Sequence, residues 1–525
     1  MRQKRKSTPP PGPARIEKQY LLLASFVIGA VILVVEIVGT RVISPYYGAS
    51  IYVWSSLIGV TLASLAVGYW SGGYVADRWP RVTAFTTEVI GGALFLLLIP
   101  LFRRSVLIWS TPLGLKAGSL LSAAVLFGPP LVLLSMTGPL AIRLVTNEFT
   151  VLGRAVGWIY GVSTLGSMVG AIITGFVLIP MFSVRSLLVG LALVLLVLGG
   201  SGLLLVRRPL AAGGVCALAL VAGALLGFSA ARPSNVVYLG NSFYGELKVV
   251  DVGNLRLFLI NGVDNGLVDR RTFRSVAPYM AYFAYLPAAR PQAMRALFIG
   301  LGSGSAPRIF HLEHRIATEV VEIDPAILHA ARRYFDFPAD VPVFIEDGRQ
   351  YVERTANRYD LVVLDAFNTE THPEHLFTRE FFASVERVLA PDGVFAINAV
   401  GMPYGEPAAW RSVYATLKER FALIRVFLGA DLTPRDTTSY TNMFFVASHG
   451  AVPSPGSLRG RDAGEAETFD RMARREIVVR PEFGGEVLLT DDYNPLDDLQ
   501  RRLFVLWRQD FIRTAEGVLL FDGSD

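Results

Sequence analysis

The chain has 525 residues, a formal net charge of +5 and a mean hydropathy of +0.44, and 52% of its residues are apolar. This apolar fraction excludes an ordinary soluble protein, and the length predicts two or more domains. Residues 1–234 carry 18 Lys and Arg against 5 Asp and Glu, whereas the remaining residues carry 31 against 39. The basic excess therefore flanks the apolar part of the chain and does not indicate nucleic-acid binding.

Residues 1–19 form a basic, Pro-rich tail that resembles the start of a signal peptide. The apolar run after it is too long for a signal peptide and lacks a small-residue cleavage pattern, so we interpret it as a retained anchor. In total, seven apolar runs are about long enough to cross a hydrocarbon core of ~30 Å. They lie near residues 20–40, 52–75, 83–102, 119–142, 156–180, 186–206 and 211–231. The sequence therefore predicts a multi-pass helical domain over residues 20–231 that lies in the lipid bilayer of the cell membrane.

The orientation of this domain follows from its basic residues. The positive-inside rule places the tail and the alternate basic loops in the cytoplasm. Seven spans would then put the carboxyl-terminal domain outside, whereas a nucleotide-using enzyme is expected to face the cytosol. The sequence leaves the side of this domain open.

Two features inside the apolar runs are candidates for function or packing. Glu36 and Glu88 lie among apolar residues, where an ionised carboxylate is costly, so each is either functional or ties helices together. Small residues recur in segments 68–77 and 166–175, which predicts close helix packing. Cys216 is the only cysteine, so the chain has no internal disulfide.

The second half of the chain has the pattern of an α/β domain. Runs 245–253 and 255–263 predict a pair of strands in a β-ribbon subdomain over residues 235–290. Over residues 291–500, apolar strands alternate with helical stretches, which predicts a doubly wound, mostly parallel, Rossmann-like sheet. Residues 501–525 are predicted to be a carboxyl-terminal tail.

Ligands bind such a sheet at the carboxyl ends of its strands, and these ends are polar or glycine-rich here. The strands end at Gly300, Gly302, Ser303 and Gly304, at Glu322 and Asp324, at Asp347 and Gly348, and at Asp365. A glycine-rich turn lets backbone N–H groups approach a nucleotide, although glycines also mark ordinary tight turns. Several such ends along one edge favour a nucleotide-type site.

The spacing of these residues indicates their roles. A carboxylate at Glu322 can accept hydrogen bonds from both hydroxyls of a ribose, and Asp347 can accept one from an adenine amine. Asp324 precedes Pro325, which favours a helix cap. Ser305 stands where a dinucleotide fingerprint has glycine, which argues against a nicotinamide dinucleotide.

The loop after the fourth strand carries the candidate catalytic base. Asp365 can take a proton from an attacking amine. Asn368, Glu370, His372 and His375 follow it. A proline separates the two histidines and no further ligands cluster with them, so we predict no metal site and interpret them as loop residues near the co-substrate.

Six segments resemble, in the family's order, the spermidine synthase family (polyamine aminopropyltransferases) in its membrane-fused form. They are LFIGLGSGSAPR, VVEIDPAIL, FIEDGRQYV, YDLVVLDAFN, LFTREFFASVERVLAPDGVFAIN and LTDDYNPLDDL. The resemblance covers about residues 242–499, and the first three segments also resemble S-adenosylmethionine methyltransferases in general.

The resemblance implies aminopropyl transfer from decarboxylated S-adenosylmethionine to putrescine, which gives spermidine and methylthioadenosine without a permanently bound cofactor. By position it implies that the glycine turn and Glu322 bind the donor's chain and ribose, that Asp347 with Gly348 binds the adenine, and that Asp365 deprotonates the amine. We assign acceptor binding to Asn368, Glu370 and Tyr493. The sequence leaves a homodimer open.

Three departures from the family pattern keep other functions open. Ser303 replaces an Asp that holds the donor's amine, Asn368 replaces an Asp that binds the diamine, and a His-Glu-Met segment before the first sheet strand is not evident. Candidates for replacement charge are Asp264, Asp269, Glu370, Asp491 and Asp492. The alternatives are another S-adenosylmethionine-dependent transferase or lyase, and a transporter or sensor that binds polyamine or nucleoside without chemistry.

Overall fold

The computed structural model describes residues 15–48, 51–146, 152–227, 234–367, 372–479 and 486–515. The chain forms two compact units that divide near residue 234. The first is helical, and the second combines an antiparallel ribbon with a larger α/β sheet.

The first unit consists of long apolar helices in its described residues. They are α1 (Arg15–Tyr47), α2 (Ile51–Arg78), α3 (Val82–Ser110), α4 (Gly114–Val145), α5 (Leu152–Ile173), a short α6 (Ile179–Met181), α7 (Val184–Leu205) and α8 (Pro209–Gly227). The predicted apolar runs are thus confirmed as helical in their described residues, which for the last run end at residue 227. By length and composition, five helical stretches suit a membrane span; one of them, Val82–Val145, contains both α3 and α4, and the apolar part of α8 is shorter.

Small residues bring pairs of these helices into contact, as the sequence predicts. A Cβ on Gly68 or Gly72 of α2 would lie 2.6 Å or less from atoms of α4. A Cβ on Gly166 or Gly170 of α5 would lie 2.7 Å or less from backbone atoms of α1. The hydrogen side chain of glycine therefore permits backbone contact at both pairs.

The two acidic residues of this unit differ in their surroundings. Glu88 on α3 is buried, and among the described residues neither of its carboxylate oxygens has a hydrogen-bond partner. Glu36 on α1 is half-buried and bonds to the side chain of Thr61.

The second unit begins with a four-stranded antiparallel ribbon in the order β1-β2-β3-β4. Its strands are β1 (Val236–Asn241), β2 (Glu246–Val252), β3 (Leu255–Ile260) and β4 (Val263–Asp269). The predicted pair corresponds to β2 and β3, and β1 and β4 extend it. Phe258 pairs with Gly266 and Leu259 with Asp264, so Asn265 is an extra residue that makes a bulge in β4.

The main sheet has seven strands in the order β10-β11-β9-β8-β5-β6-β7. They are β5 (Arg295–Ile299), β6 (Ala317–Glu322), β7 (Val343–Ile345), β8 (Tyr359–Leu364), β9 (Leu389–Gly401), β10 (Leu423–Leu428) and β11 (Thr441–Ser448). Strands β5 to β9 are parallel, which confirms the predicted Rossmann-like core, whereas β11 runs antiparallel to both β9 and β10 and makes the sheet mixed.

Helices cover both faces of this sheet. They are α9 (Tyr285–Ala289), α10 (Ser305–Leu312), α11 (Pro325–Tyr334), α12 (Gly348–Arg354), α13 (Arg379–Val388), α14 (Ala408–Lys418), α15 (Ala463–Arg474), α16 (Leu496–Leu499) and α17 (Arg501–Ala515). Strand β5 is buried on both faces, with Phe298 in one core cluster and Leu297 in the other. This two-sided burial explains the continuous apolar runs in the sequence.

The end of the chain differs from its prediction as a tail. Residues 501–515 form helix α17, whose Leu503 packs with Val400 and Met402 of the main sheet. Arg508 is buried and donates a hydrogen bond to the backbone oxygen of Asn261, which joins this helix to the ribbon.

Candidate active site

A cavity of about 810 Å³ lies over the edge of the main sheet at which the parallel strands end. Residues of the ribbon, of the strand ends and of α17 line it. The strand order places the carboxyl ends of β5, β6 and β7 on one side of Asp365, which follows β8. The carboxyl end of β9 and the beginning of the antiparallel strand β11 lie on the other side. The cavity therefore has two ends with one carboxylate between them.

The glycine turn has the backbone conformation that requires glycine. The φ angles are +100° at Gly300, +54° at Gly302 and +78° at Gly304. A Cβ on Gly300 would lie 2.2 Å from the backbone oxygen of Asp365. Side chains at this turn are thus excluded both by φ and by the close approach of the loop after β8.

Glu322 ends β6 inside the cavity wall and is 5% exposed. Its Oε2 accepts a hydrogen bond from the N–H of Leu301 at 3.0 Å, and its Oε1 accepts one from the N–H of Asp324 at 2.9 Å. Burial raises the pKa of Glu322 to about 7, against the lowering effect of these bonds. Each carboxylate oxygen keeps a lone pair for a further donor such as a ribose hydroxyl.

Asp347 ends the next strand and caps α12, with Oδ1 accepting from the backbone N–H groups of Arg349 and Gln350. Its Oδ2 lies 2.8 Å from Nε2 of His375. This bond from His375 lowers the pKa of Asp347. Gly348 lies beside it on the cavity wall. Asp324 caps α11 by accepting from the N–H of Ala326, as its sequence context predicts.

Asp365 lies at the centre of the cavity and is held by a chain of amides. Asn398 on β9 donates to Oδ1 of Asp365 at 2.8 Å, and Asn442 on β11 donates to Asn398 at 3.1 Å. Burial raises the pKa of Asp365 to about 6, and the hydrogen bond from Asn398 opposes this shift. A carboxylate with this pKa is ionised at neutral pH and remains basic enough to accept a proton from an amine.

The other predicted residues lie in different places. Ser303 lines the cavity and bonds to the hydroxyl of Ser305 at 2.9 Å. Asn368 and Glu370 lie outside the described residues. Tyr493 is 62% exposed and is not among the described residues that line the cavity.

His372 is a buried wall residue. Its Nδ1 donates to the side-chain oxygen of Gln500, and its Nε2 accepts from the N–H of Val400. Burial lowers its pKa to about 4, so this histidine is neutral. Among the described residues, no group of three or more His, Cys, Asp or Glu is arranged to hold a metal ion.

The structure brings several residues to the cavity that the sequence analysis did not select. They are Tyr244, Tyr279, Asn398, Tyr440, Asn442, Asp497 and Trp507. Asn398 lies inside strand β9 and not at its end, so the rule about strand ends does not select it; its signal is that it is the one polar side chain in the apolar run 393–400. The others lie in the ribbon, in the segment after it and in the carboxyl-terminal elements, where the sequence pattern contains no comparable signal.

A scan against family models agrees with this geometry. Residues 277–443 match the model described as "Spermine/spermidine synthase domain". This part of the chain is similar to the spermine/spermidine synthase family. The matched region, called the synthase domain below, contains the strands from β5 to β10, the glycine turn and Asp365.

Relatives of the synthase domain include both aminopropyltransferases and a methyltransferase. The chain is 31% identical over 196 residues to a polyamine aminopropyltransferase of Vibrio vulnificus (34% of this chain, 66% of the relative). It is 32% identical over 286 residues to a probable polyamine aminopropyl transferase of Bifidobacterium longum (51% and 62%). It is 37% identical over 194 residues to an N-terminal histidine N-methyltransferase of Emericella nidulans (33% and 34%). The chain thus spans less than two thirds of the length of each of these relatives.

Among solved structures, a probable spermidine synthase of Corynebacterium glutamicum is similar with a TM-score of 0.39 and 20% identity, covering 55% of this chain and 96% of that one. The spermidine synthase of Thermotoga maritima is similar with a TM-score of 0.34 and 24% identity, covering 41% and 73%.

Proposed function

We propose that this chain is a membrane-anchored aminopropyltransferase that uses decarboxylated S-adenosylmethionine as donor and putrescine as acceptor. The family assignment of residues 277–443 supports the reaction class. The observation that carries the choice of donor is the charge of the cavity wall.

Seven carboxyl side chains line the cavity, and none of the described lining residues is Lys or Arg. The carboxyl groups are Asp264, Glu322, Asp324, Asp347, Asp365, Glu374 and Asp497. A wall of this charge favours a cationic ligand and disfavours a carboxylate. Decarboxylated S-adenosylmethionine carries a sulfonium and an ammonium without a carboxylate, whereas the intact donor adds the carboxylate of its methionyl group.

The proposed reaction is a direct displacement at carbon. The lone pair of the acceptor amine attacks the aminopropyl carbon next to sulfur, a C–N bond forms, and the C–S bond breaks with its electron pair remaining on sulfur. The products are spermidine and the neutral thioether methylthioadenosine. Asp365 takes the proton that the amine nitrogen loses, so the step needs alignment and a base.

The strand order supports separate places for the two substrates. The glycine turn, Glu322 and Asp347 form the donor end, over β5, β6 and β7. Asn398, Asn442 and the residues of α16 and α17 form the acceptor end. Asp365 lies between the two ends, where the amine would meet the donor's carbon.

The membrane anchor is the helical first unit. Its helices are long and apolar enough to cross a bilayer, and basic residues flank them. We place this unit in the cell membrane. Membrane fractions floated through a density gradient are expected to carry the protein after alkaline carbonate washing, and recovery in the wash would contradict the anchor.

A second candidate is transfer from intact S-adenosylmethionine, and the similarity to the histidine N-methyltransferase supports it. The two candidates differ in the donor consumed. Purified full-length protein is incubated with putrescine and either donor, and the products are identified by mass spectrometry. Spermidine and methylthioadenosine from the decarboxylated donor alone are expected; consumption of only the intact donor would favour the second candidate.

The role of Asp365 is tested in the same assay. Asp365→Asn keeps an oxygen that accepts the hydrogen bond from Asn398 but is no longer a base. We expect kcat to fall by about 10²- to 10⁴-fold, the usual contribution of a general base. Binding of methylthioadenosine, measured by calorimetry, is expected to change little. Turnover close to the wild-type rate would contradict the assignment.

A further inference from the structure

One carboxylate of the ribbon, that of Asp264, belongs to the segment that contacts the glycine turn. Oδ1 of Asp264 accepts a hydrogen bond from the N–H of Gly266 at 2.8 Å. A Cβ on Gly266 would lie 2.5 Å from Cβ of Ser303, so this part of the ribbon contacts the turn. A Cβ on Gly302 would likewise lie 2.9 Å from the backbone oxygen of Asn265. The bulge in β4 thus contacts the turn, and the hydrogen bond from Gly266 holds the Asp264 carboxylate in this part of the ribbon.

Asp264 faces the cavity. Its side chain is accessible to water although protein atoms surround it, which is the environment of a group on a cavity wall. This burial raises the pKa of Asp264, and the hydrogen bond from the N–H of Gly266 opposes the shift. Burial raises the pKa of the Tyr279 phenol, and the charges of Asp365 and Asp264, which lie within range of it, raise it further. Asp264 is therefore near the reaction centre as well as the glycine turn.

The remaining candidates for replacement charge are engaged elsewhere where the structure describes them. Asp269 accepts hydrogen bonds from Arg271 and Thr272 in the turn that follows β4. Asp491 pairs with Arg349, and Asp492 is exposed. None of these three aspartates lines the cavity in the described part of the chain. Asp497 does line it, but its charged neighbour is Glu374, on the loop that follows Asp365.

A donor bound by its nucleoside at Glu322 and Asp347 must run past the glycine turn to bring its reacting carbon to Asp365. The group at the end of that chain then lies between the turn and the ribbon. We propose that Asp264 binds the ammonium group of the donor's aminopropyl chain. This assignment rests on the proposed function. It makes a residue of the ribbon responsible for selecting a donor that has an ammonium group and no carboxylate.

The test compares two ligands that share the methylthioadenosine part. Decarboxylated S-adenosylmethionine adds the aminopropyl chain with its ammonium group and carries a positive charge on sulfur, whereas methylthioadenosine is a neutral thioether. Asp264→Asn keeps an oxygen for the N–H of Gly266 and removes the charge. We expect Asp264→Asn in the full-length protein to bind the decarboxylated donor about 10- to 100-fold more weakly by calorimetry, because hydrogen bonds to charged groups are among the strong ones. The affinity for methylthioadenosine is expected to change by no more than about twofold, because this ligand has no ammonium group that Asp264 could bind.

The matched control is Asp269→Asn, which removes another carboxylate of strand β4, one that does not line the cavity in the described part of the chain. It is expected to leave the affinity for both nucleosides unchanged. Asp264→Ser, which also offers an oxygen to Gly266, repeats the measurement with a different side chain. If both Asp264 variants weaken the two nucleosides equally, the residue is only structural and the proposal is wrong.

Failure of the proposal and failure of the proposed function give different results. If wild-type protein binds and consumes the decarboxylated donor but Asp264→Asn binds it equally well, only the role of Asp264 is overturned. A change confined to KM for the acceptor would overturn it as well. If the wild-type protein does not bind the decarboxylated donor at all, the proposed function fails and the role of Asp264 fails with it.

Discussion

Arg349 donates hydrogen bonds to both carboxylate oxygens of Asp491, at 2.7 and 2.6 Å. Arg349 belongs to α12, the helix that Asp347 caps, whereas Asp491 lies 142 residues further along the chain. Arg349 also donates to the backbone oxygen of His375, at 3.4 Å. One guanidinium therefore connects the helix that follows Asp347, the loop after Asp365 and the carboxyl-terminal segment.

This connection predicts a modest effect on donor binding. Asp491→Asn removes the charge from a partly exposed pair, for which about 0.2–1 kcal/mol is usual, so we expect KM for the donor to rise by up to about fivefold. Glu353→Gln is the matched control, because Glu353 pairs with the same Arg349 on one helix without contacting the loop. Steady-state kinetics measure KM for the donor in both variants. Equal changes in KM would mean that the pair of Arg349 with Asp491 affects donor binding no more than the pair within the helix does.

The amide chain at Asp365 predicts the pH dependence of the reaction. Asp365 must be ionised to act as a base, so kcat/KM is expected to fall as the pH decreases through about 6, the pKa of this group. Asn398 lowers this pKa through its hydrogen bond. Asn398→Ala should therefore move the midpoint of the kcat/KM profile upward by about half a unit to one unit, the value of one hydrogen bond. The variant would be slow at pH 6 and near normal at pH 8; an unchanged midpoint or a downward shift would contradict this role of Asn398.

The glycine turn allows a test in which the same substitution is made at two positive φ angles. Gly300→Ala combines a φ of +100° with a contact of 2.2 Å to the backbone oxygen of Asp365. Gly253→Ala, between β2 and β3, has a φ of +59° and no atom within 4 Å of the new Cβ. We expect the free energy of unfolding to fall by about 1–2 kcal/mol at Gly253 and by more than about 3 kcal/mol at Gly300, since a backbone clash adds to the left-handed cost.

Thermal unfolding of the detergent-purified variants measures this difference, and calorimetry with methylthioadenosine measures the consequence for the site. Gly253→Ala is expected to bind the nucleoside normally. Equal loss of stability at the two positions would show that the approach of Asp365 to the turn is not a constraint on the fold.

Much of the synthase domain follows from its sequence. Alternating strands and helices predicted the parallel part of the sheet, and because parallel strands end at one edge, the same pattern selected Glu322, Asp347 and Asp365. The structure places all three on one cavity wall. The two antiparallel strands β10 and β11 were not predicted, since their runs follow one another without the intervening helix that marks a parallel crossover.

The helices of the first unit could also be predicted from the sequence, because a run of about 20 apolar residues has few other structures available to it. Gly68 and Gly166 were also recognised as contact positions from the small residues around them. Which helices they join, α2 with α4 and α1 with α5, depends on the tertiary structure.

The sequence by itself determined the fold class, the order of strands β5 to β9 along the chain and the residues that follow β5 to β8, since these depend on local periodicity and on the handedness of βαβ units. Only the tertiary structure decided which distant side chains complete the cavity. Asp264 reaches it because a bulge in β4 contacts the glycine turn, and Trp507 reaches it because α17 packs on β9. Such placements depend on contacts between segments separated by tens to hundreds of residues, and no local pattern encodes them.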